Sequence, residues 1–204
     1  MRATHPRLEA VLADVDASLA AWLTAELPAG ATIDFASPAG LVEHRRTGKS
    51  ACTVNLFLHD IVEELGGMGG ADVYLRDANG RVNAMRGPLR RYRLSYLVTA
   101  WATDIEEEHR VLGLVLAAHG RNEVVTAPWL HGSLSKLNIP MPIRLGMVSS
   151  GVGDVGRWAA LGVPARAGVE LTVTAPVPPD LREELAPPVE RVELTLTDQV
   201  GEGR

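Results

Sequence analysis

Apolar residues recur every three or four positions near the start of the chain. Leu8, Val11, Leu12, Val15, Leu19, Trp22 and Leu23 form one stripe, the pattern of an amphipathic helix. Thr4 is placed to cap it, Pro6 suits a first turn that needs no amide donor, and Pro28 and Gly30 end it. Ile33 and Phe35 predict a short strand. Pro38 to Ser50, with two glycines and with His44, Arg45, Arg46 and Lys49, reads as a loop. From Ala51 to Ile61 the period changes to two: Cys52, Val54, Leu56 and Leu58 take one face, Thr53, Asn55, Phe57 and His59 the other. Phe57 and Ile61 make the second face partly apolar, so packing is expected on both sides of the sheet.

Gly66 to Gly70 interrupts the pattern. Val73 to Leu75 and Arg81–Val82 then flank Asp77-Ala-Asn-Gly80. Asn-Gly favours positive φ, which predicts a protruding β-hairpin arm. Arg90 to Trp101 is the longest strand expected, with Tyr92, Leu94, Tyr96, Val98 and Ala100 on one face. Thr103 and Glu106 have capping-box spacing, and the helix they open runs to about His119–Gly120. Ile105, Leu112, Val115, Leu116 and His119 share one side, widened by Val111, Leu114 and Ala118. So broad an apolar surface predicts the more buried of two main helices.

Prolines and glycines between Pro128 and Met147 forbid a long helix there, while Ile139, Met141, Ile143 and Leu145 allow an edge strand. Arg157 to Leu161 predicts at most a short helix. Val169, Leu171 and Val173 predict a strand, and Val192, Leu194 and Leu196 a last one. Prolines at 176, 178, 179, 187 and 188 mark a stiff connector around Leu181 to Leu185. The sum is an α+β fold: a mixed sheet with two main helices. Residues 1–178 are expected to form the domain proper. Residues 179–204 add a Pro-rich connector, the C-terminal strand and a polar tail to that same domain.

Composition narrows the function classes. Twenty-five acidic against twenty basic residues give a net charge of −5, which argues against a nucleic-acid binder. Cys52 is the single cysteine, so no internal disulfide and no cysteine-based zinc site is expected. The N-terminus lacks the apolar run of a secretory signal, and no apolar stretch of about 18 residues is present. A soluble protein, cytoplasmic when it assembles and not inserted in a membrane, is the expectation.

The motifs that suggest chemistry are weak. Gly151-Val-Gly-Asp-Val-Gly156 fits G-x-G-x-x-G, but Gly162 and Pro164 cut short the helix that nucleotide binding needs. Gly48-Lys-Ser50 resembles the end of a phosphate loop, yet Glu43 stands where its first glycine belongs. Ser133 and Lys136 have S-x-x-K spacing without partner motifs. His109 and His119 lie ten apart on one helix and point in different directions, so no metal is expected. A small enzyme using Gly151–Gly156 for a nucleotide, or Ser133 with Lys136, is the alternative reading; no cofactor is expected under the main one. Arg86, Arg90, Arg91 and Arg93 form a local basic run suited to a subunit contact.

Three segments together resemble a known family: Thr53–Glu63; Arg93–Asp104 followed by Glu108–His109; and Arg157–Gly162 leading to Arg166 and Leu171–Thr174. Their order and spacing are similar to the N-terminal domain of cap proteins from phage-tail-like contractile injection systems of the antifeeding prophage and Photorhabdus virulence cassette type. Tyr96 to Trp101 with Glu108–His109 is the most specific piece. The resemblance implies a non-enzymatic tail terminator. Its subunits would form a ring, typically of six, on the distal end of the inner tube and sheath, ending polymerisation and locking the last sheath layer. Family members often carry a further C-terminal domain, which 204 residues are expected to lack. A compact chain of this length has a diameter of roughly 43 Å, and six such spheres in a ring leave a hole of about the same width. Ring contacts must be head-to-tail, and strand edges can supply them by main-chain pairing. The candidate contact residues are Val73, Tyr74, Arg81, Val82, Arg90, Arg91, Arg93, Val192, Leu194 and Leu196.

Overall fold

The computed structural model describes residues 6–46, 52–64, 73–78, 80–146, 153–177 and 181–182. Along the chain run α1 (Pro6–Glu26), β1 (Thr32–Asp34), α2 (Pro38–Arg46), β2 (Thr53–Glu63), β3 (Val73–Arg76), β4 (Val82–Arg86) and β5 (Arg90–Trp101). Then come α3 (Ile105–Arg121), β6 (Val124–Val125), α4 (Gly132–Leu137), β7 (Met141–Gly146), α5 (Gly153–Ala160), β8 (Gly168–Val177) and β9 (Leu181–Arg182). Six strands form a mixed sheet in the order β1-β2-β5-β8-β7-β6. The β1–β2 pair is parallel and every other pair antiparallel. A second sheet of three strands, β3-β4-β9, carries the hairpin.

The main core lies between one sheet face and helices α1 and α3. Val15, Leu19, Trp22 and Leu23 of α1 are fully buried there with Leu56, Leu94, Tyr96, Val98, Leu171 and Val173 of the sheet. Each large aliphatic side chain so placed contributes roughly 1.5–3 kcal/mol. A smaller cluster covers the other face, where Trp158 of α5 and Val163 pack on Leu97, with Val42 of α2 and Phe57 beside them. Packing on both faces, expected from Phe57, is therefore present.

Several expectations need correction. Residues 38–46, read as loop, form α2: Pro38 stands at its first position and Leu41 is buried, so two apolar residues outweigh the glycine. The cap of α3 is Asp104, whose carboxylate accepts from the Glu107 amide at 2.8 Å, not Thr103. On α3 the inward stripe is Glu108, Val111, Leu112, Val115 and Ala118, whereas Ile105 and Leu116 are about half exposed. Helix α1, not α3, is the more deeply buried. Ile61 lies on the main-core face because a β-bulge between Leu58 and Asp60 shifts the register by one residue. The two-residue strand β6 flanks β7, so β7 is not the outermost strand. Leu181 and Arg182, read as connector, pair with Arg86 and Met85 as β9.

Polar contacts dock α4 on α1. The Ser133 amide and hydroxyl both donate to Asp14 Oδ2, at 2.8 and 2.5 Å, and the His131 amide donates to Ser18 Oγ at 3.0 Å. Gly132 between them has φ +54°, and a Cβ there would collide with the Asp14 carboxylate. Tyr96 donates its phenol proton to Asp16 Oδ1 at 2.8 Å. Burial raises the Asp16 pKa, and the Tyr96 bond offsets part of that rise. Burial and the nearby Asp16 charge hold the Tyr96 phenol well above its ordinary range.

Two outcomes are expected. Gly132→Ala costs about 1–3 kcal/mol in urea unfolding, from the left-handed backbone and the collision. In an Asp14→Ala background the same change costs less, because the collision is gone. For Asp16 the folded pKa lies above the unfolded one. Its contribution is full below the ordinary carboxylate value and lost as pH rises through the raised value. Asp16→Asn keeps the acceptor for Tyr96 without the charge, so its stability relative to the parent grows as pH goes from about 4 to 7. Paired denaturation curves across that range measure the difference.

Candidate functional site

The hairpin sheet joins the main sheet at the start of β5 and the end of β8: β4 ends four residues before β5, and β9 begins four residues after β8. The hairpin turn is closed by Gly80 N donating to Asp77 O at 3.0 Å, Asp77 N to Arg81 O at 2.8 Å and Arg81 N to Asp77 Oδ1 at 2.9 Å. Gly80 adopts φ +79°, which the Asn-Gly signal anticipated. Arg76 Nη1 donates to Gly80 O across the turn at 2.8 Å. Tyr74 is 58% exposed, Arg81 is exposed and Val82 is half-buried. Val73 pairs with Arg86, four residues before β5 begins. Arg90, Arg91 and Arg93 lie opposite Val177, Pro176 and Thr174 at the end of β8. Arg90 and Arg93 are exposed, Arg91 is half-buried, and Arg90 lies 3.6 Å from Glu63. The strand of Val73 and Tyr74 pairs with that of Val82, and the three arginines share the start of β5. Val192, Leu194 and Leu196 lie outside the described residues.

The same end of the main sheet carries an apolar groove of about 180 Å³, lined by Val11, Leu12, Ile61, Tyr92, Ala175 and Val177 among others. Its rim is exposed: Leu12 is 38% and Ile61 48% accessible. Strand β1 spans only Thr53–Asn55 of the outer edge of β2. The remaining eight residues of β2 run past it, and among the described residues no strand lies alongside them. Sequence reading missed this surface. The signal was present in Ile61–Val62, two adjacent apolar residues that a strand cannot both turn inward.

The most specific part of the family-like pattern has a structural role. Trp101 ends β5, and the Arg166 guanidinium stacks 3.5 Å from its ring centroid. Arg166 Nη1 donates to Ala100 O at 3.2 Å and to Glu108 Oε1 at 3.5 Å. The Ala102 amide also donates to Glu108, at 3.4 Å, and Trp101 Nε1 donates to Thr99 Oγ1 at 2.8 Å. Only 10% of the Arg166 side chain and 4% of the Glu108 side chain are exposed. Three consecutive acids, Glu106, Glu107 and Glu108, open α3, where a helix start ordinarily leaves them to solvent, and Glu108 is the exception. It is instead the inward member, while Glu107 pairs outside with Arg110 at 2.6 Å.

Among the described residues the chemical motifs do not assemble into a reactive set. The Ser133 hydroxyl is committed to Asp14, and Lys136 is exposed. Gly153 to Gly156 belong to helix α5, not to an open loop, and Gly151 and Val152 lie outside the described residues, as do Gly48 to Ser50. Burial, then the Glu107 charge, pushes the Cys52 thiol up, away from a reactive thiolate. His119 Nε2 accepts from the Leu145 amide at 3.3 Å, far along α3 from exposed His109. Among the described residues no three His, Cys, Asp or Glu side chains converge on a point that could hold a metal ion. No helix among them is long and apolar enough to cross a membrane.

A family of known proteins shares this fold. The Pvc16 N-terminal domain family matches residues 14–191, and the chain belongs to it. Two solved structures share the architecture. One is the sheath/tube terminator of the extracellular contractile injection system PVC in its extended state, with a TM-score of 0.66 and 24% identity over 92% of this chain. The other is the tube-terminating cap of the anti-feeding prophage, with a TM-score of 0.63 and 21% identity over 90% of this chain. The matched region spans 63% and 61% of those two chains. No curated protein sequence matches the chain.

The buried pair makes a direct test of the Trp101 cluster. Arg166→Met removes the cation from the Glu108 carboxylate and is expected to cost about 3–5 kcal/mol. Adding Glu108→Gln removes the buried charge and recovers a large part of that loss. Chemical denaturation of the single and double variants gives the coupling.

Proposed function

We propose that this protein is a structural subunit of a contractile injection particle, one that caps the distal end of the inner tube and sheath. The observation that carries the reading is membership of the Pvc16 N-terminal domain family across residues 14–191, with a fold shared with two terminators. In this reading the subunits close head-to-tail into a ring, six being the expected number. The ring ends polymerisation and holds the last sheath layer. Its role is assembly and not catalysis, and assembly takes place in the cytoplasm. Residues 1–178 with the segment 179–204 act as one domain.

In this reading the contact residues are Tyr74 and Arg81 on the hairpin and Arg90, Arg91 and Arg93 at the start of β5. Exposed Tyr74 and Arg81 on the hairpin, with exposed Arg90 and Arg93 on β5, suit an interface, since both residue types are enriched at binding hot spots. Ion pairs at its rim would set partner choice and association rate more than affinity.

Light scattering on purified protein, with negative-stain imaging, is expected to reveal closed rings that bind the ends of tube or sheath assemblies. A protein that stays monomeric at all concentrations and ignores such ends overturns the reading. The double variant Arg81→Glu/Arg93→Glu is expected to weaken end binding or ring closure about tenfold or more, with its circular dichroism spectrum unchanged.

A further inference from the structure

The face of the main sheet turned away from α1 and α3 carries a small apolar and basic patch. Val62 of β2 lies opposite Arg93 of β5, and Arg93 lies opposite Thr174 of β8. Directly paired residues share a face, as do residues two apart on a strand. Val62, Arg93, Thr174 and Arg91 therefore stand together, on the face where Leu97 packs under Trp158. Val62 is 37% exposed, Arg93 is exposed and Arg91 half-buried. Among the described residues no carboxylate pairs with Arg91 or Arg93. The next row across the sheet, Asp60-Ser95-Thr172-Arg144, carries one charge of each sign, so the patch is basic.

The start of α3 has the complementary composition. Asp104, Ile105 and Glu106 are all exposed, Ile105 to 57%. Their neighbours are committed elsewhere: Glu107 pairs with Arg110, and Glu108 turns inward to Arg166. Among the described residues Asp104 and Glu106 meet no cation. An apolar residue between two acids thus matches an apolar residue beside two arginines, in polarity and in charge. From Arg93 to Trp101 β5 advances roughly 27 Å, and α3 begins beyond that. The span exceeds half the width of the body, so the two surfaces do not meet within one copy.

We propose that the start of α3 in one copy docks on this sheet face of the next, with Ile105 against Val62 and with Asp104 and Glu106 beside Arg91 and Arg93. This deepens the ring reading and rests on it. The two surfaces differ, so the contact is heterologous: every copy offers one surface and accepts the other, as ring closure requires. An apolar centre with a charged rim is the ordinary build of a protein interface. The rim charges also reject a face meeting its own equivalent, since like charges would then be opposed.

The test uses the full chain and measures self-association by sedimentation, with rings imaged in negative stain. Arg93→Glu and Glu106→Arg, each alone, oppose like charges across the contact and are expected to weaken association about tenfold or more. Both changes in one chain restore opposite charges at every contact, and association is expected to return to within about threefold of the parent. Single variants that associate like the parent, or a double variant no better than the weaker single, overturn the docking; rings of the parent then leave the ring reading standing. A parent that never self-associates, alone or on tube and sheath ends, removes both. A second readout is independent of charge and keeps the proposal testable if a charge variant fails to fold. In a Cys52→Ser background, Val62→Cys and Ile105→Cys preparations are mixed and oxidised; both positions are exposed, so the replacements are mild. An interchain disulfide specific to the mixture supports the proposal. A disulfide formed as readily within either preparation alone, or none in the mixture while rings are seen, overturns it.

Discussion

The Arg166 guanidinium holds three parts of the molecule in register. It stacks on Trp101 at the end of β5, donates to the carbonyl of Ala100 and reaches Glu108 in the first turns of α3. Arg166 itself lies two residues before β8. One side chain therefore ties the exit of β5, the start of α3 and the entry to β8. Gly168 lets the strands come close at that entry, where a Cβ would sit 3.1 Å from the Val98 carbonyl. A buried ion pair is a weak source of net stability, because two ions must be desolvated. Its strength here is geometric: a planar guanidinium can satisfy a ring face, a carbonyl and a carboxylate together, which an ammonium cannot.

The groove and the arginines lie at the opposite end of the sheet. The β-bulge between Leu58 and Asp60 rephases the last residues of β2. Without it Asp60 and Val62 would face the core side, and Ile61 would face away. With it Ile61 joins Leu12 on the rim of the groove. A bulge costs regular pairing and gains a change in which side chain points where. Strand β4 ends four residues before β5, so the hairpin joins the main sheet at the end that carries the arginines and the groove. The buried guanidinium cluster at one end and the exposed groove rim at the other are the features on which the proposed assembly role draws.

Much of the fold was legible. Helix α1 and strand β5 were readable almost to the residue, because long runs of strict period leave little choice. The hairpin was readable from Asp77 to Gly80, because Asn-Gly demands a conformation that few turns supply. Helix α2 was not, because nine residues with one glycine and a basic end carry no clear period; burial of Leu41 decides it. The α3 cap was misplaced by one residue, since Thr103 and Asp104 are both good caps and only the approach angle of the chain selects between them. Strand β9 escaped notice because two residues have no period at all.

The amino-acid sequence alone determined the α+β class, the main strands, the hairpin and the family-like pattern around Trp101. These rest on local periodicity and on residue types whose preferences act over a few neighbours. Tertiary structure alone decided that Glu108 turns inward to Arg166 while Glu107 stays outside. It also decided that Ile61 meets Leu12 and that much of β2 runs past β1. Each of those facts joins residues far apart in the chain, and pairing over such distances is set by packing and register, which no local pattern encodes.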